Sequence, residues 1–346
     1  MKKLILVTGG TGYIGSHTVV ELIENGYDTV IIDNLYNSEA EVVDRIAKIT
    51  GVTPRLEVFD LCDSALLESF FRKHQNIDGI IHFAAYKAVG ESVHKPLEYY
   101  RNNLVSLMNL LDSMKKTGIP AFVFSSSCTV YGQPEKLPVS EDSPIRPAVS
   151  PYGNTKQIGE EIIRDTVSSD PNIRAIALRY FNPIGAHPSG LIGELPRGVP
   201  ENLVPYITQT AYGLRDELKV FGNDYNTPDG SCIRDYLHVV DLAKAHVVAI
   251  ERLIGKKNKS GFEIFNLGTG NGVSVLEAIK SFERATGVKV KYRITGRRAG
   301  DIEKIWADPS LANRELGWKT INSLDEAMKT AWEWEKFIRK THGNEN

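Results

Sequence analysis

Cysteine is scarce in this 346-residue chain: Cys62, Cys128 and Cys232 stand singly, with no pair at metal-ligand spacing. That excludes a disulfide-stapled scaffold and a cysteine-zinc site, and it points to a reducing compartment. Long apolar runs are missing as well, for no stretch approaches the ~20 residues of a membrane span. The run Leu4 to Val7 behind Met1-Lys2-Lys3 stops at Gly9-Gly10, too early for an export signal, so the cytoplasm is the expected location. Neither sign of charge dominates, since 41 basic and 43 acidic residues leave a formal −2. The densest basic cluster, Lys256-Lys257-Asn258-Lys259, reads as a solvated loop, and neither nucleic acid nor a membrane is expected as a partner. There is no internal repeat and no low-complexity tail. What remains is a globular chain long enough for one large or two modest domains.

Its N-terminus carries a strand, a glycine loop and a helix in succession. The apolar run Leu4 to Val7 enters Thr8-Gly9-Gly10-Thr11-Gly12-Tyr13-Ile14-Gly15, and Ser16 to Glu24 then has helical spacing. Gly10, Gly12 and Gly15 fit G-x-G-x-x-G, while Gly9, Gly12 and Gly15 fit the looser G-x-x-G-x-x-G. Glycines let the backbone turn tightly and approach a pyrophosphate, which the amides of the helix N-terminus then hold. A second apolar run, Thr29 to Ile32, ends on Asp33. An acid there accepts hydrogen bonds from an adenosine ribose and repels a 2′-phosphate, so NAD is favoured over NADP.

The alternation continues. Strands are expected over Leu56 to Phe59, Gly79 to Phe83, Ala121 to Phe124 and Ala175 to Arg179, and helices over Ser64 to His74 and Pro96 to Thr117. Alternating strands and helices predict an α/β fold with a doubly wound parallel sheet, Rossmann-type. Ligands of such sheets lie at the carboxyl ends of the strands. At one such end Ser150-Pro151-Tyr152-Gly153-Asn154-Thr155-Lys156 opens a helix. Tyr152 is the one tyrosine with a lysine four residues on, which puts a phenol and an ammonium on one helical face. A neighbouring cation favours phenolate and lowers the tyrosine pKa from its usual ~10, making the pair a base for an alcohol proton; a plain surface pair is the other reading of the motif.

Beyond Tyr180, Pro183, Gly185, Pro188, Gly190, Gly193, Pro196, Gly198 and Pro200 crowd one stretch. The domain boundary is expected there. Residues 1–181 form the dinucleotide domain, and 182–346 mainly a smaller mixed α/β substrate domain that can return segments to the first. In the second part helices are expected over Leu203 to Gly213, Val240 to Leu253, Val275 to Thr286 and Leu324 to Lys340, with strands over Leu218 to Phe221, Glu263 to Leu267 and Val288 to Ile294. Trp318, Trp332 and Trp334 are expected in the core. Arg234 and Arg298 are the side chains best shaped for a pyrophosphate, and Phe221 can flank a flat base; ion pairing and core packing are their ordinary alternatives.

Together these motifs resemble the extended short-chain dehydrogenase/reductase family over nearly the whole chain. Within it, His82-Phe83-Ala84-Ala85, Ser125-Ser126-Ser127-Cys128-Thr129-Val130-Tyr131-Gly132 and Arg179-Tyr180-Phe181-Asn182-Pro183-Ile184-Gly185-Ala186-His187 are similar to nucleotide-sugar enzymes. So are Lys87-Ala88-Val89-Gly90-Glu91-Ser92, Val220-Phe221-Gly222-Asn223-Asp224-Tyr225 and Arg234-Asp235-Tyr236-Leu237-His238-Val239. The resemblance implies an isomerase of galactose metabolism that interconverts UDP-glucose and UDP-galactose through a 4-keto sugar, with tightly bound NAD and no metal. It also implies a homodimer, in which the helices from Pro96 and Asn154 could pair across a two-fold axis; they could equally cover one face of the sheet.

By the same resemblance Ser127 bonds the sugar oxygen, Tyr152 is the base, and Lys156 holds NAD and depresses the tyrosine. NAD would meet Gly9, Gly12, Tyr13, Ile14, Gly15, Asp33, Asn34, Asn37, Ser38, Asp60, Leu61, Phe83, Ala84, Lys87, Asn102, Tyr152, Lys156 and Phe181. The UDP-sugar would meet Ser127, Asn182, Asn202, Leu203, Val220, Phe221, Arg234, Arg298, Asp301 and Ile305. Related dehydratases and decarboxylases carry acids just after the site hydroxyl, where Cys128 and Thr129 stand here. They, and a non-catalytic NAD-sensing protein of the same fold, are the alternatives. Ile305 falls where members restricted to plain hexoses carry tyrosine, which implies room for a 2-acetamido group and turnover of UDP-N-acetylglucosamine and UDP-N-acetylgalactosamine; packing against Trp306 or the domain seam is the other reading.

Overall fold

The computed structural model describes residues 2–298 and 301–342. Through residue 180, strands and helices alternate: β1 (Leu4–Thr8), α1 (Tyr13–Glu24), β2 (Asp28–Asp33), α2 (Val42–Thr50), β3 (Arg55–Val58), α3 (Ser64–Lys73), β4 (Ile77–His82), α4 (Val89–His94), α5 (Pro96–Thr117), β5 (Ala121–Ser125), α6 (Pro151–Ser169) and β6 (Arg174–Tyr180). There follow β7 (Asn182–Ile184), α7 (Leu203–Tyr212), β8 (Leu218–Phe221), β9 (Ile233–Arg234), β10 (Tyr236–His238), α8 (Val239–Ile254), β11 (Phe262–Leu267), β12 (Val273–Ser274), α9 (Val275–Thr286), β13 (Tyr292–Thr295), α10 (Ser310–Glu315) and α11 (Leu324–His342).

Seven of the strands form one parallel sheet in the order β11-β6-β5-β4-β1-β2-β3. Successive side chains of a strand point to opposite faces, and both faces here are covered. Ile5 and Val7 of β1 join Val19, Val20, Ile46, Leu242 and Ile250, from α1, α2 and α8. Leu6, between them, joins Phe70, Leu110 and Ile163, from α3, α5 and α6. That double burial is why the strands read as unbroken apolar runs. The expected doubly wound α/β sheet is formed, and its order reverses between β1 and β4, which opens the crevice where such folds hold ligands.

The smaller unit has its own core, with Ile184, Val204, Ile207, Val220, Phe282 and Met328 buried together. Its strands pair in twos: β7 with β10 and β8 with β13 in parallel, β9 with β12 antiparallel. Between these pieces the chain crosses back to the large sheet. Helix α8 packs on α1, and β11 pairs with β6 from Phe262↔Ala175 to Leu267↔Tyr180. Without β11, β6 would present an open, apolar edge.

Three helices, α2, α4 and α10, had no expectation in the sequence. The strand expected over residues 288–294 begins only at Tyr292. The preceding residues are the return from α9, whose left-handed Gly287 ends the helix while Glu283 accepts from the Val290 amide at 3.0 Å. Trp318 and Trp334 are buried, with their indole N–H groups donating to Asp241 O and Glu194 O, each at 2.8 Å. Trp332 is half-buried, edge-on to Phe282.

Candidate active site

The crevice between β1 and β4 is built by close backbone approach. Gly9 has φ +72°, and a Cβ there would lie 2.7 Å from the Ala84 amide nitrogen; one on Gly15 would lie 2.2 Å from Gly9 O. Only glycine fits at either position. The Phe83 and Ala84 amides both donate to Thr8 O, at 3.0 and 3.1 Å, so the loop after β4 is stitched to the loop after β1. Side chains are thereby kept away from the first amides of α1, and the cradle suits a pyrophosphate.

Asp33, at the end of β2, accepts from the Thr11 amide (3.2 Å), the Leu35 amide (3.0 Å) and the Ser38 hydroxyl (3.3 Å). At the end of β3, Asp60 accepts from Asn34 Nδ2 and from the Cys62 amide. Asp33, Asn34, Ser38 and Asp60 are thus bonded together at one end of the crevice, where a ribose and base would lie. Asn102 reaches it from α5, its carbonyl against the Cys62 thiol. Toward the other end, Tyr13 donates to Gly185 O at 2.7 Å, Lys87 pairs with Glu194 at 3.1 Å, and Phe181 is buried behind β6.

Helix α6 brings the expected catalytic pair to the same edge. Ser150 caps it, accepting from the Gly153 amide at 3.1 Å, and Pro151 occupies the first turn. Tyr152 and Lys156 are both buried on one face. Lys156 Nζ donates to Ser125 O at 2.7 Å and lies 4.8 Å from the Phe124 ring centroid and 5.8 Å from that of Tyr152. Ser127 caps the short turn Cys128–Tyr131, accepting from the Thr129 amide. Its hydroxyl lies beside the Tyr152 phenol, where it favours phenolate.

In the protein by itself, burial weighs against the charged form of both members of the pair. Burial pushes the Tyr152 phenol well above its ordinary range, the neighbouring Tyr180 adds to this, and Ser127 only partly opposes it. Burial also pulls Lys156 down to about 8, with Glu160 working the other way. A desolvated ammonium is itself disfavoured, so it lends less charge to its neighbour than it would in water.

Across the crevice, Asp301 draws two guanidinium groups together, Arg298 at 2.7 Å and Arg234 at 3.6 Å. Arg298 also lies 5.5 Å from the Phe221 ring centroid. Arginines gathered beside an aromatic ring suit a nucleoside diphosphate. The Asn182 amide donates to Asp235 O, and Asn202 Nδ2 donates to Glu194 at the start of α7, just before Leu203. Val220 is different, since its side chain belongs to the smaller unit's core. Ile305 is also buried, packed with Val130, Tyr131, Val139, Phe181 and Ala307 in the seam between the two parts. Cys128, where related dehydratases carry an acid, is a thiol that burial pushes up to about 12, and so not a proton donor near neutrality.

Several supporting residues carry no signal in local spacing. Asn103 accepts from the Tyr86 amide and donates to Tyr86 O and to the Thr155 hydroxyl, tying the loop after β4 to α6. Arg197 reaches back to Tyr36 O and Ser38 O at 2.7 and 2.8 Å, clamping the loop after β2. Asp235 accepts from the Thr269 amide and hydroxyl and from the Gly270 and Ala307 amides. Each depends on partners far along the chain. Among the described residues no group of histidine, cysteine and carboxylate side chains could hold a metal ion, and no helix is long and apolar enough to cross a membrane.

A family described as GDP-mannose 4,6 dehydratase matches residues 6–331. UDP-glucose 4-epimerase of Haemophilus influenzae is 50% identical over 332 residues, covering 96% of this chain and 97% of that protein. Among solved structures, UDP-glucose 4-epimerase of Stenotrophomonas maltophila with NAD and formylated UDP-arabinopyranose superposes with TM-score 0.95 at 47% identity, over 98% of this chain and 99% of that one. The Bifidobacterium longum enzyme with NAD+ and UDP gives 0.92 at 47% identity, over 99% of each chain. With half its residues shared over nearly its full length, the chain belongs to the UDP-glucose 4-epimerases, NAD-dependent isomerases of the extended short-chain dehydrogenase/reductase family.

Proposed function

We propose that this enzyme interconverts UDP-glucose and UDP-galactose at C4 with NAD held throughout. The observation that carries the reading is the meeting of Ser127, Tyr152 and Lys156 at the carboxyl edge of the sheet, between a glycine cradle and a paired-arginine site. Gly9, Gly12, Tyr13, Ile14 and Gly15 would hold the NAD pyrophosphate; Asp33, Asn34, Asn37, Ser38, Asp60, Leu61 and Asn102 the adenosine; and Phe83, Ala84, Lys87, Lys156 and Phe181 the nicotinamide half. NAD held there would supply a hydride acceptor and donor for C4 of the sugar.

The protein's own part is binding and proton transfer. Ser127 holds the sugar 4-oxygen, and Tyr152 as phenolate takes its proton, the Lys156 ammonium having stabilised the phenolate beforehand. Arg234 and Arg298 hold the pyrophosphate, and Phe221 and Leu203 flank the base. Asn182, Asn202, Asp301 and the Val220 backbone complete the nucleotide-sugar site. A grip on the UDP part leaves the sugar free to turn over, so both faces of C4 can meet the same cofactor. Ile305 in place of a ring leaves room beside C2, and acetamido sugars are accepted as well. Helices α5 and α6 lie side by side and leave Leu97 and Met108 exposed, which supports a homodimer. Three unpaired cysteines support the cytoplasm.

The deciding experiment follows UDP-galactose formation from UDP-glucose by purified protein with no NAD added. Steady turnover is expected. Binding of UDP-glucose with neither turnover nor growth of NADH absorbance would leave a cofactor-sensing protein of the same fold instead.

A further inference from the structure

A second buried charge system stands directly behind the Tyr152–Lys156 pair. Glu160 follows Lys156 by one turn of α6 on the same face, and both are buried. Its Oε1 accepts from the Ser126 hydroxyl at 2.6 Å and from Arg179 Nε at 2.9 Å, and its Oε2 from Arg179 Nη2 at 2.5 Å. Arg179 Nη1 donates to the Tyr131 hydroxyl, which in turn donates to Asn266 Oδ1. Ser126 lies between Ser125, whose carbonyl accepts from Lys156, and Ser127. One carboxylate is therefore bonded to the strand end that carries two of the site's contacts.

The other neighbours of Lys156 give its charge little help. The Phe124 ring and Ser125 O lie on β5 and Tyr152 on its own helix. From β4 comes His82, which burial, with Lys156 adding to it, holds neutral at about 3. Tyr180 of β6, hydrogen-bonded to the Ser125 hydroxyl, is an un-ionised phenol pushed up to about 12 by burial. Glu160 is the carboxylate that favours the ammonium, against a burial that alone would disfavour it.

We propose that Glu160, clamped by Arg179 and Ser126, is a positioning residue that keeps Lys156 in its ammonium form for the proton transfer at Tyr152. It touches neither sugar nor cofactor and acts through Lys156 and the Ser125–Ser127 strand end. The inference rests on the proposed roles of Tyr152 and Lys156.

The test compares pH profiles of kcat for UDP-glucose in the native enzyme, Glu160→Gln, and the double variant Glu160→Gln/Arg179→Gln, which leaves no buried guanidinium unmatched. With the carboxylate gone, Lys156 loses its proton at lower pH, so the alkaline limb moves down by about one pH unit; Tyr152 holds its proton longer, so the acid limb moves up. At neutral pH kcat falls about tenfold while KM stays within about twofold. A folded double variant with native limbs would overturn the inference, as would a double variant that cannot fold, since the pair would then be structural. Tyr152→Phe separates this from failure of the underlying reading: activity surviving in that variant sinks the base itself, whereas an inactive Tyr152→Phe beside native limbs in the double variant sinks only Glu160.

Discussion

Burial around Tyr152 opposes the ionisation that its chemistry needs, so its surroundings must reverse that preference when the site is filled. Ser127 and Lys156 are the groups in the protein placed to do so, and they are the neighbours that a phenylalanine would leave in position. Tyr152→Phe removes the ionisable oxygen and little volume. Turnover is expected to fall by about a thousandfold or more, while NAD content and UDP binding by calorimetry stay near native; ordinary activity would dismiss Tyr152 as the base. Ile305 poses a question of shape. It is 3% exposed, among Phe181, Tyr131 and Val139, so a tyrosine there either projects into the sugar pocket or overpacks the seam. Ile305→Tyr should lower acetamido turnover at least about tenfold while UDP-glucose turnover changes little. A native enzyme inert toward both acetamido sugars would end that proposal, and thermal unfolding of the variant reports any overpacking.

The element on which the site depends most is α6. One face presents Tyr152, Lys156 and Glu160, and the helix anchors itself with buried Ile163 and Val167. Gly159 lets it approach β5, since a Cβ there would sit 3.0 Å from the Phe124 ring. The start of the helix is set by Ser150 and Pro151, two residues and one residue before the base. Ser150→Ala leaves the Gly153 amide without its acceptor and should cost about 1 kcal/mol of stability. It should also lower kcat severalfold, because the first turn carries Tyr152. A reduced denaturation midpoint with unchanged kcat would show that packing alone holds the tyrosine. The return segment α8–β11 is anchored in a comparable way, with Asp241 accepting from the Ile321 and Asn322 amides and from Asn322 Nδ2.

For the molecule as a whole, buried histidines set the response to acid. Burial holds His17 and His82 at about 3 and His238 and His246 at about 4. Unfolded, each would titrate near ~6.5. Between those values the unfolded chain binds protons that the folded one refuses, so stability falls as pH falls through that window. Glu21, raised by burial to about 7, has the opposite effect, as do Glu141 and Asp235, which burial also raises, but these three carboxyls stand against five histidines, since burial lowers His187 too. Urea midpoints should therefore drop between about pH 7.5 and about pH 5, and a flat or rising midpoint would contradict the assignment of neutral histidines. The proposed homodimer is tested by light scattering, with a mass near twice 38.4 kDa expected. Leu97→Glu/Met108→Glu should convert it to monomer, and a native mass of one chain would refute it.

Much of this protein was legible along the chain, because the deciding physics is local. Gly9, Gly12 and Gly15 between a strand and a helix, Asp33 at the end of the next strand, and Tyr152 with Lys156 one helical turn later each state a requirement within a few residues. The alternation of apolar runs with helical spacing declared the doubly wound sheet, since strands buried on both faces must be apolar throughout. The tertiary structure decided whatever depends on residues far apart in sequence. It sent β11 back to cover the edge of β6, bound Glu160 to Arg179 and Ser126, and aimed Arg197 and Tyr13 across the crevice. It also buried Tyr152 and Lys156 together, which weighs against the charged form of each. A pKa is set by the water that folding removes and by the charges it assembles, and neither is written in the spacing of a motif.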